Sequence, residues 1–410
     1  MFVRGGKGTL LRAVPALRLS SSQTEGEEVP GRRRLSSGPP TQATGGLCRP
    51  ERWRWLRTGR KNIMVLRSIR LAAFALTLAP CLLAPAAAEE TVHIGIARSV
   101  SNGAELIAIE RGYFREAGIK VEIDDIDTSA NTMALLATNR LQVIAGGVSA
   151  GYFNAIEKGL PIIIIADRVS TPIGHNLMLR PDLKDKITSL AQLKGKVIGS
   201  NGAGSVSTYE VGKMLETAGV AISDVDVKIF PFTQMPVAFA NKAIDAGIVI
   251  PPFVSEFLEQ GHAVGFAEPD LIVKPSPMTI AVIMVNSDWA KKNTTLLRNY
   301  YTAYLRGVRD YCDAYHGAPV KEQIIAALIR HGSERRPELL YKYPWPARSP
   351  NGRINIASML DMQDWFIKNG YAHAKFPAER LVDLSYADFA VQKLGPFVPA
   401  SKDSKLEGCR

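Results

Sequence analysis

Apolar and polar positions follow two alternating periods along residues 91–267. Short runs rich in β-branched residues, such as residues 91–96 and 162–166, are followed by stretches in which apolar side chains recur every three or four positions. The first pattern is typical of buried strands and the second of amphipathic helices. The repeated strand-helix-strand order, with glycine turns at the strand ends, predicts an open α/β sheet that binds ligands at the carboxyl ends of its strands.

One strand-loop-helix unit, residues 194–219, has the composition of a small-molecule binding loop. Residues 197–198 form the strand core, and the glycines and hydroxyls of residues 199–208 precede a helix with a clear apolar period. The unpaired backbone N–H groups and the dipole of a helix N-terminus favour a negatively charged guest. The alternative is structural, because Ser207 and Glu210 fit the S-x-x-E pattern of a capping box that would only start the helix.

The order of the elements also predicts a division into two lobes. Strand-like runs at residues 176–180 and 278–285 are placed to cross between lobes, and the pattern after the second run is mostly helical. We therefore predict a discontinuous first lobe, formed by residues 89–180 and 278–400, and a second lobe formed by residues 181–277.

The first 63 residues carry most of the net charge of this 410-residue chain. They contain 13 Lys and Arg residues against four acidic ones, and they are rich in Ser, Gly and Pro without a hydrophobic period. We expect them to be a disordered leader. Of the formal net charge of +11, +9 falls on this leader and +2 on residues 64–88, so the rest of the chain is neutral overall. This distribution removes the electrostatic argument for a nucleic-acid partner.

Residues 64–88 have the pattern of a secretory signal peptide. Two arginines precede an apolar run, and the alanines of residues 86–88 supply the small residues of an A-x-A cleavage site. We therefore predict that the protein is exported to the periplasm and that the mature chain begins near Glu89.

The same segment bears on where translation starts and on whether the protein is anchored. Translation is expected to begin at or near Met64, which would make residues 1–63 a mis-assigned start. A lipid anchor on Cys81 and retention of the apolar run as a single membrane span stay open as alternatives. Pro80 disfavours the lipid anchor, because a small residue normally precedes a lipidated cysteine. Pro80 and Pro85 disfavour the membrane span, because they interrupt the apolar run and leave it short for a spanning helix.

The residue types of metal and nucleophile chemistry are scattered along the chain. The cysteines stand at positions 48, 81, 312 and 409 without a C-x-x-C pair, and the six histidines show no ligand spacing. We therefore expect no zinc site, no disulfide framework and no cofactor. Cys312 is expected to be a small buried residue of a helix, and the histidines are expected at the surface or in the core.

Three runs of residues resemble one family of binding proteins. They are IAIERGYFREAGIKVEI at 107–123, ITSLAQLKGKVIGSNGAGSVSTYEVGKMLETAGV at 187–220 and AFANKAIDAGIVIPPFVSEFLEQG at 238–261. With these runs the chain resembles the type II periplasmic binding proteins, and among them the nitrate/sulfonate/taurine and thiamine-precursor solute-binding proteins of ABC importers (SsuA/THI5-like, NMT1-like). The similarity spans residues 92–394. It implies an α/β, two-lobed type II periplasmic-binding-protein fold with a ligand cleft between the lobes, a hinge at the crossing strands and a helical C-terminal region.

The resemblance also implies ligand contacts in loops of both lobes. Arg168, just past the strand at 162–166, would be a cation that binds a carboxylate or sulfonate, and the alternative for it is a surface ion pair with Asp167 or Asp182. The candidate cleft walls, for which core packing is the favoured alternative, are Phe232, Gln234 and Phe253. The implied ligand-binding residues are Ser99, Ser101, Asn102, Val148, Ser149, Arg168, Gly204, Ser205, Ser207 and Thr208, with no catalytic residue and no metal ligand.

The export signal and the resemblance together predict a receptor. The expected function is an extracytoplasmic solute-binding receptor of an ABC importer, which captures a small polar or anionic organic solute such as a sulfonate, carboxylate, nitrate or pyrimidine-like compound. It would deliver this solute to an ABC permease in the inner membrane, and it is expected to be a monomer. Two alternatives stay open: a sensory binding module, and an enzyme on the same fold that acts on a pyrimidine precursor. The isolated cysteines and scattered histidines disfavour the enzyme.

Overall fold

The computed structural model describes residues 89–126, 132–332, 337–342, 345–400 and 408–409. The predicted leader (1–63), the predicted signal peptide (64–88) and the cysteines at positions 48 and 81 lie outside the described residues. Within the described ranges, no helix combines the length and the apolar character needed to cross a bilayer.

Strands and helices alternate through most of the described chain. The strands are β1 (Glu90–Ile96), β2 (Ile119–Asp125), β3 (Val143–Gly147), β4 (Ile162–Ser170), β5 (Asn176–Leu179), β6 (Val197–Ser200), β7 (Asp226–Ile229), β8 (Ala246–Val249), β9 (Val264–Ala267) and β10 (Thr279–Asn286). The helices are α1 (Gly103–Glu110), α2 (Tyr113–Glu116), α3 (Thr132–Ala137), α4 (Ala150–Glu157), α5 (Val206–Glu216), α6 (Met235–Ala240), α7 (Phe253–Glu259), α8 (Pro269–Ile272), α9 (Ser287–Lys292), α10 (Thr294–Tyr315), α11 (Lys321–Arg330), α12 (Leu339–Lys342), α13 (Ile356–Lys368), α14 (Ala378–Leu381) and α15 (Ser385–Leu394).

The strands form two five-stranded mixed sheets. The first has the order β2-β1-β3-β10-β4, in which β1 is parallel to β2 and β3 while β10 runs antiparallel between β3 and β4. The second has the order β7-β6-β8-β5-β9, in which β6 is parallel to β7 and β8 while β5 runs antiparallel to β8 and β9. The predicted α/β class and the predicted helical C-terminal region, which here runs from α9 to α15, are confirmed.

The chain passes between the sheets at two short connectors, residues 171–175 and 273–278. The strand β5 pairs only with strands of the second sheet, so the change of sheet falls before it and not at residue 180, where the sequence pattern places the lobe boundary. The strand β10 likewise lies wholly in the first sheet, so it is not itself a crossing. A short apolar run has the same period in either sheet, and periodicity therefore could not assign β5.

The two connectors are hydrogen-bonded to each other. The backbone N–H of Thr171 donates to the carbonyl oxygen of Met278 at 3.0 Å, and the backbone N–H of Met278 donates to Oγ1 of Thr171 at 2.7 Å. Any change in the angle between the sheets would therefore act on both connectors together.

The apolar core is continuous from one sheet to the other. Ile144 of β3 and Ile198 of β6 belong to the same buried cluster, and helix α13 contributes to it from the C-terminal region. The ring of Phe366 on α13 lies 6.0 Å from that of Phe153 on α4 and 6.1 Å from that of Tyr209 on α5, measured between centroids. The C-terminal helices thus join the helices that cover the two sheets. A second cluster packs α1 and α10 on the opposite face of the first sheet.

Candidate functional site

The parallel strands place several loops at the same edge of each sheet. In the second sheet, β6 lies between β7 and β8 and is parallel to both, so the segments that follow these three strands begin at a common edge. In the first sheet, β1 and β3 are parallel neighbours, and residues 97–102 and 148–149 follow them. Such carboxyl-end edges are where α/β sheets bind ligands.

The two edges are in direct contact. Ser149, at the start of α4, and Ser205, at the start of α5, form an antiparallel bridge, and the backbone N–H of Ala150 donates to the carbonyl oxygen of Gly204 at 2.8 Å. Gly204 has a φ of 63°, and a Cβ at this position would lie 2.9 Å from the Cβ of Ala150. Only glycine fits this close approach without strain. The structure thus brings together two of the predicted loops, one from each sheet, at residues 149–150 and 204–205.

Ser205 caps α5. Its Oγ accepts a hydrogen bond from the backbone N–H of Thr208 at 3.3 Å, and its backbone is extended while the helix begins at Val206. The hydroxyl of Thr208 is fully buried and donates to the carbonyl oxygen of Gly202 at 2.7 Å. These bonds hold the turn in shape and fix the direction of the helix N-terminus.

The predicted capping box of Ser207 and Glu210 is wrong. Both residues lie within α5, after its first residue, and both side chains are buried. The two carboxylate oxygens of Glu210 lie 2.9 and 3.0 Å from Nδ1 of His175. His175 is the last residue of the first connector, so this contact ties the connector to the helix that carries the candidate loop. The two residues are 35 positions apart, and no local spacing in the sequence could have paired them.

Replacing Ser205 with alanine is expected to lower the free energy of unfolding by about 1 kcal/mol, because the N–H of Thr208 loses its acceptor. Ser205→Asp is the matched control, since its carboxylate can accept the same hydrogen bond and also suits a helix N-terminus. Urea unfolding followed by circular dichroism measures both. Equal stabilities of the two variants would contradict the assignment of Ser205 as the cap.

The first loop, residues 97–102, is supported by a hydrogen bond from Arg168. Asn102 is 1% exposed, its Nδ2 donates to the carbonyl oxygen of Ala97 at 2.5 Å, and its Oδ1 accepts from Nη1 of Arg168 at 2.7 Å. Arg168 is itself only 7% exposed, so the predicted surface ion pair is wrong. Asp182, one of the two partners considered, pairs with Arg180 instead, at 2.6 Å. Arg168 therefore supports the loop that carries Asn102.

A second buried guanidinium, that of Arg348, supports the same loop. Its Nη2 lies 3.4 Å from the carbonyl oxygen of Val100 and 3.3 Å from that of Ser101, and its planar group stacks 3.6 Å from the ring centroid of Tyr311. Arg348 is 1% exposed and lies nearly 250 positions away in the chain, between α12 and α13. Sequence reasoning missed it for that reason.

Two buried carboxyl groups complete a cluster with these arginines. Burial raises the pKa of Glu105 on α1 to about 7, against the attraction of Arg168 and Arg348. Burial also raises the pKa of Asp167 to about 6, against a lowering by the hydrogen bond from the backbone N–H of Ser349. Both carboxyl oxygens of Glu105 and the Nε atoms of both arginines have no hydrogen-bond partner among the described residues. The cluster therefore combines buried charge with unsatisfied donors and acceptors.

A cavity of about 230 Å³ adjoins this charged cluster. Asp167 and Arg348 line it, and in the described part of the chain Oδ1 of Asp167 and Nη1 of Arg348 are without a hydrogen-bond partner. Gly408 and Cys409, close to the end of the chain, form part of its wall. A guanidinium and a carboxyl group in one small cavity can bind water or a small polar molecule.

The candidate aromatic walls lie at the same sheet edge as Ser205. The rings of Phe232, after β7, and Phe253, after β8, stack with centroids 5.7 Å apart and an angle of 27°. Both are half-buried and pack against the apolar cluster that includes Phe257, so core packing describes much of their surface. Gln234 is exposed.

The predicted ligand-binding residues divide by exposure. Asn102, Val148, Arg168, Gly204, Ser207 and Thr208 are buried, and the half-buried residues are Ser99, Ser101, Ser149 and Ser205. The side chain of Val148 belongs to the core, and the buried polar residues hold loops in place. The four half-buried serines therefore retain surface for a ligand.

Comparison with known proteins gives one family and many structural neighbours. The family model described as NMT1/THI5 like matches residues 102–314. The formylaminopyrimidine-binding protein of Halalkalibacterium halodurans is 24% identical over 203 residues. That alignment covers 49% of this chain and 59% of the relative, so the chain matches little more than half of the relative's length.

Solved structures with the same fold include two binding proteins. The nitrate-binding protein NrtA of Synechocystis PCC 6803 has a TM-score of 0.59 at 17% identity, with 76% of this chain and 91% of that chain covered. The aliphatic sulphonate binding protein SsuA of Escherichia coli has a TM-score of 0.57 at 17% identity, with 78% and 96% covered. A further neighbour, with a TM-score of 0.54 at 13% identity and 74% and 99% covered, is the desulfurization enzyme DSZB. The predicted periplasmic-binding-protein fold is thereby confirmed.

Proposed function

Because this chain belongs to the NMT1/THI5-like family, we propose that it is the solute-binding receptor of an ABC importer. In this proposal the exported protein captures a small polar solute in the periplasm and delivers it to a permease in the inner membrane. The observation that carries the proposal is the contact of Ser149 with Ser205, which joins the carboxyl-end loops of the two sheets. The relatives named for binding formylaminopyrimidine, nitrate and sulphonate support it.

The ligand would contact the half-buried serines of both edges. Ser99 and Ser101 come from the first loop, Ser149 from the start of α4 and Ser205 from the start of α5. Hydroxyl groups donate and accept hydrogen bonds, and two helix N-termini add backbone N–H donors. The buried residues of the predicted set would act indirectly, as Arg168 does by holding Asn102.

A neutral polar ring is the ligand class that this arrangement favours. The guanidinium groups of Arg168 and Arg348 are engaged with Asn102 and with the backbone of the first loop. The charge of a sulfonate or nitrate would be met at the bridge by the partial charges of the two helix N-termini, whereas hydroxyls and backbone donors already suffice for a neutral pyrimidine-like compound. The stacked pair of Phe232 and Phe253 adds an aromatic surface at the same edge.

Ligand entry requires the two edges to separate. In this structure the edges touch, so opening would break the Ser149–Ser205 bridge and the hydrogen bond between Ala150 and Gly204. The two connectors, residues 171–175 and 273–278, are the places where the chain passes between the sheets and therefore where such a hinge would act. The contact of His175 with Glu210 would transmit that motion to α5.

A thermal-shift screen of the purified protein tests this proposal. A ligand present at about 100 times its Kd adds about 2.7 kcal/mol of stability, which corresponds to a rise in Tm of about 4 °C. The panel contains formylaminopyrimidine, other pyrimidines, alkanesulfonates, carboxylates and nitrate, and we expect the pyrimidines to give the largest rise. No rise in Tm with any of these compounds would count against a receptor for small polar solutes.

Two serine variants then locate the site. The side chains of Ser99 and Ser149 make no capping hydrogen bond, so alanine at either position should leave the Tm of the free protein unchanged. Each is expected to weaken binding of the best ligand by roughly threefold to tenfold in calorimetric titration, through loss of one hydrogen bond. Ser205→Ala is the control that lowers both stability and affinity. Unchanged affinity in both of the first two variants would place the site elsewhere.

The enzyme alternative has one specific observation in its favour. The buried pair of His175 and Glu210 lies beside the candidate loop, and a carboxylate that contacts an imidazole is an arrangement that can move protons. Mass spectrometry of the ligand after long incubation with the protein distinguishes the two functions, because a receptor returns its ligand chemically unchanged. A new product in the mass spectrum would favour an enzyme.

A further inference from the structure

The described end of the chain packs closely against the last turn of α10. Cys409 is 2% exposed, and its carbonyl oxygen lies 3.1 Å from Nε2 of His316, within hydrogen-bonding distance. A Cβ on the preceding Gly408 would lie 2.2 Å from the Cβ of Ala347 and 2.9 Å from the hydroxyl oxygen of Tyr315. This segment is therefore closely packed in a defined position against Ala347, Tyr315 and His316.

This packing brings the thiols of Cys312 and Cys409 together. The thiol of Cys409 is within hydrogen-bonding reach of the thiol of Cys312, which is fully buried on α10. Cys312 precedes His316 by four positions, so both side chains lie on the helix face that the chain end covers. Both cysteines are free in this structure. The contacts of Gly408 and His316 described above help to hold the pair in place.

We propose that Cys312 and Cys409 form a disulfide bond in the exported protein, which fastens the end of the chain to α10. The proposal rests on the proposed function in one respect, since disulfides form and persist outside the cytoplasm. Cleavage near Glu89 would remove Cys48 and Cys81, which leaves Cys312 and Cys409 as the two cysteines of residues 89–410.

The bond forms by thiol–disulfide exchange with a disulfide-bearing oxidant, such as an oxidoreductase of the exported compartment or oxidised glutathione. Because both thiols are buried, the chain end has to lift before Cys409 can react. Its thiolate then attacks one sulfur of the oxidant, which forms a mixed disulfide and releases one oxidant thiol. When the chain end returns to its packed position on α10, the thiolate of Cys312 attacks the sulfur of Cys409 and releases the second oxidant thiol. The two protein thiols are oxidised, the oxidant disulfide is reduced, and the two protons pass to the released thiolates.

The bond would also secure the cavity beside the charged cluster. Gly408 and Cys409 form part of the wall of that cavity, which the buried side chains of Asp167 and Arg348 also line. Arg348 in turn supports the first loop through the carbonyl oxygens of Val100 and Ser101. Cross-linking the chain end to α10 would hold this part of the wall in place and would close a long loop that contains α11 to α15, which restricts the unfolded chain.

The test expresses the full chain with its own leader in a Gram-negative host and recovers it from the periplasm. Free thiols are blocked with an alkylating reagent under denaturing, non-reducing conditions, and the peptides are mapped by mass spectrometry. We expect a linked peptide pair that contains Cys312 and Cys409, and a Tm that falls by roughly 5 °C or more after reduction. Cys409→Ser should show no linked pair and no change in Tm on reduction. Cys409 is buried as Cys312 is, and serine has nearly the same volume as cysteine, so the change in packing is kept small.

A second arm separates this proposal from that of export. Protein purified from the cytoplasm under reducing conditions is incubated with oxidised glutathione and mapped in the same way. A linked Cys312–Cys409 pair in this arm supports the proposal even if the leader fails to direct export. Alkylation of both cysteines in both arms, or linkage of Cys409 only to a second copy of the chain, would overturn it.

Discussion

Gly307→Ala is expected to lower the free energy of unfolding by about 3 kcal/mol. Gly307 lies on α10 where this helix packs against α1, and a Cβ there would lie 2.3 Å from the carbonyl oxygen of Ala104 and 2.9 Å from the Cβ of Ala108. The carbonyl oxygen belongs to the backbone and cannot rotate away, so the two helices have to separate. Their buried aromatic and aliphatic contacts with the first sheet would weaken as a result. Urea unfolding followed by circular dichroism measures the loss.

Gly151→Ala is the matched control for this prediction. Gly151 is also a helical glycine, on α4, but a Cβ at this position would meet only Oγ of Ser149, at an ordinary distance of 3.4 Å. Alanine there is expected to be neutral or to add up to about 1 kcal/mol through its higher helix propensity. Similar losses in both variants would show that close packing of α10 on α1 is not the cause.

Strand positions could be read from the sequence wherever burial dictates composition. The runs at 91–96 and 162–166 fall within β1 and β4, because strands covered by helices on both faces need continuous apolar side chains. The assignment of β5 to a sheet could not be read in the same way. Three of its four residues, 177–179, are apolar and would suit either sheet, and its partners β8 and β9 come from distant parts of the chain.

The residue that caps α5 could not be identified from the sequence pattern. Ser205 and Ser207 are both hydroxyl residues near a helix start, and the S-x-x-E pattern favoured the second. The positive φ of Gly204 turns the chain so that the helix begins at Val206, which leaves Ser205 as the cap. Glu210 is then free to face the connector, where His175 meets it.

The family resemblance pointed to loops of both sheets, but it did not point to the residues that support them. Ser149 and Ser205, two of the implied ligand contacts, form a bridge in this structure. The bond from Arg168 to Asn102 joins residues 66 positions apart, and that from Arg348 to Ser101 joins residues 247 positions apart. Pairings of this kind arise from the tertiary fold and leave no spacing that a single sequence can show.

Glu105 gives the charged cluster a measurable effect on stability. Burial raises its pKa from the usual value of 4.5 to about 7, so the folded protein holds a proton on this carboxyl group at pH values where the unfolded chain has released it. The free energy of unfolding therefore falls as the pH rises from about 4.5 to about 7. Between pH 5 and pH 8 the loss from this one group amounts to about 2 kcal/mol.

Glu105→Gln should remove this part of the pH dependence, because the amide is neutral throughout and has nearly the same shape. We expect the variant to match the wild-type stability at pH 5 and to exceed it by about 2 kcal/mol at pH 8, in urea unfolding measured across the range. Glu157→Gln on α4 is the control: the same substitution is made at an exposed position outside the buried cluster, and the variant should follow the wild-type curve. A constant difference between wild type and Glu105→Gln at every pH would show that the carboxyl group does not titrate in this range. The attraction of Arg168 and Arg348 would then outweigh burial, and the cluster would be an ion network that stabilises the first loop at neutral pH.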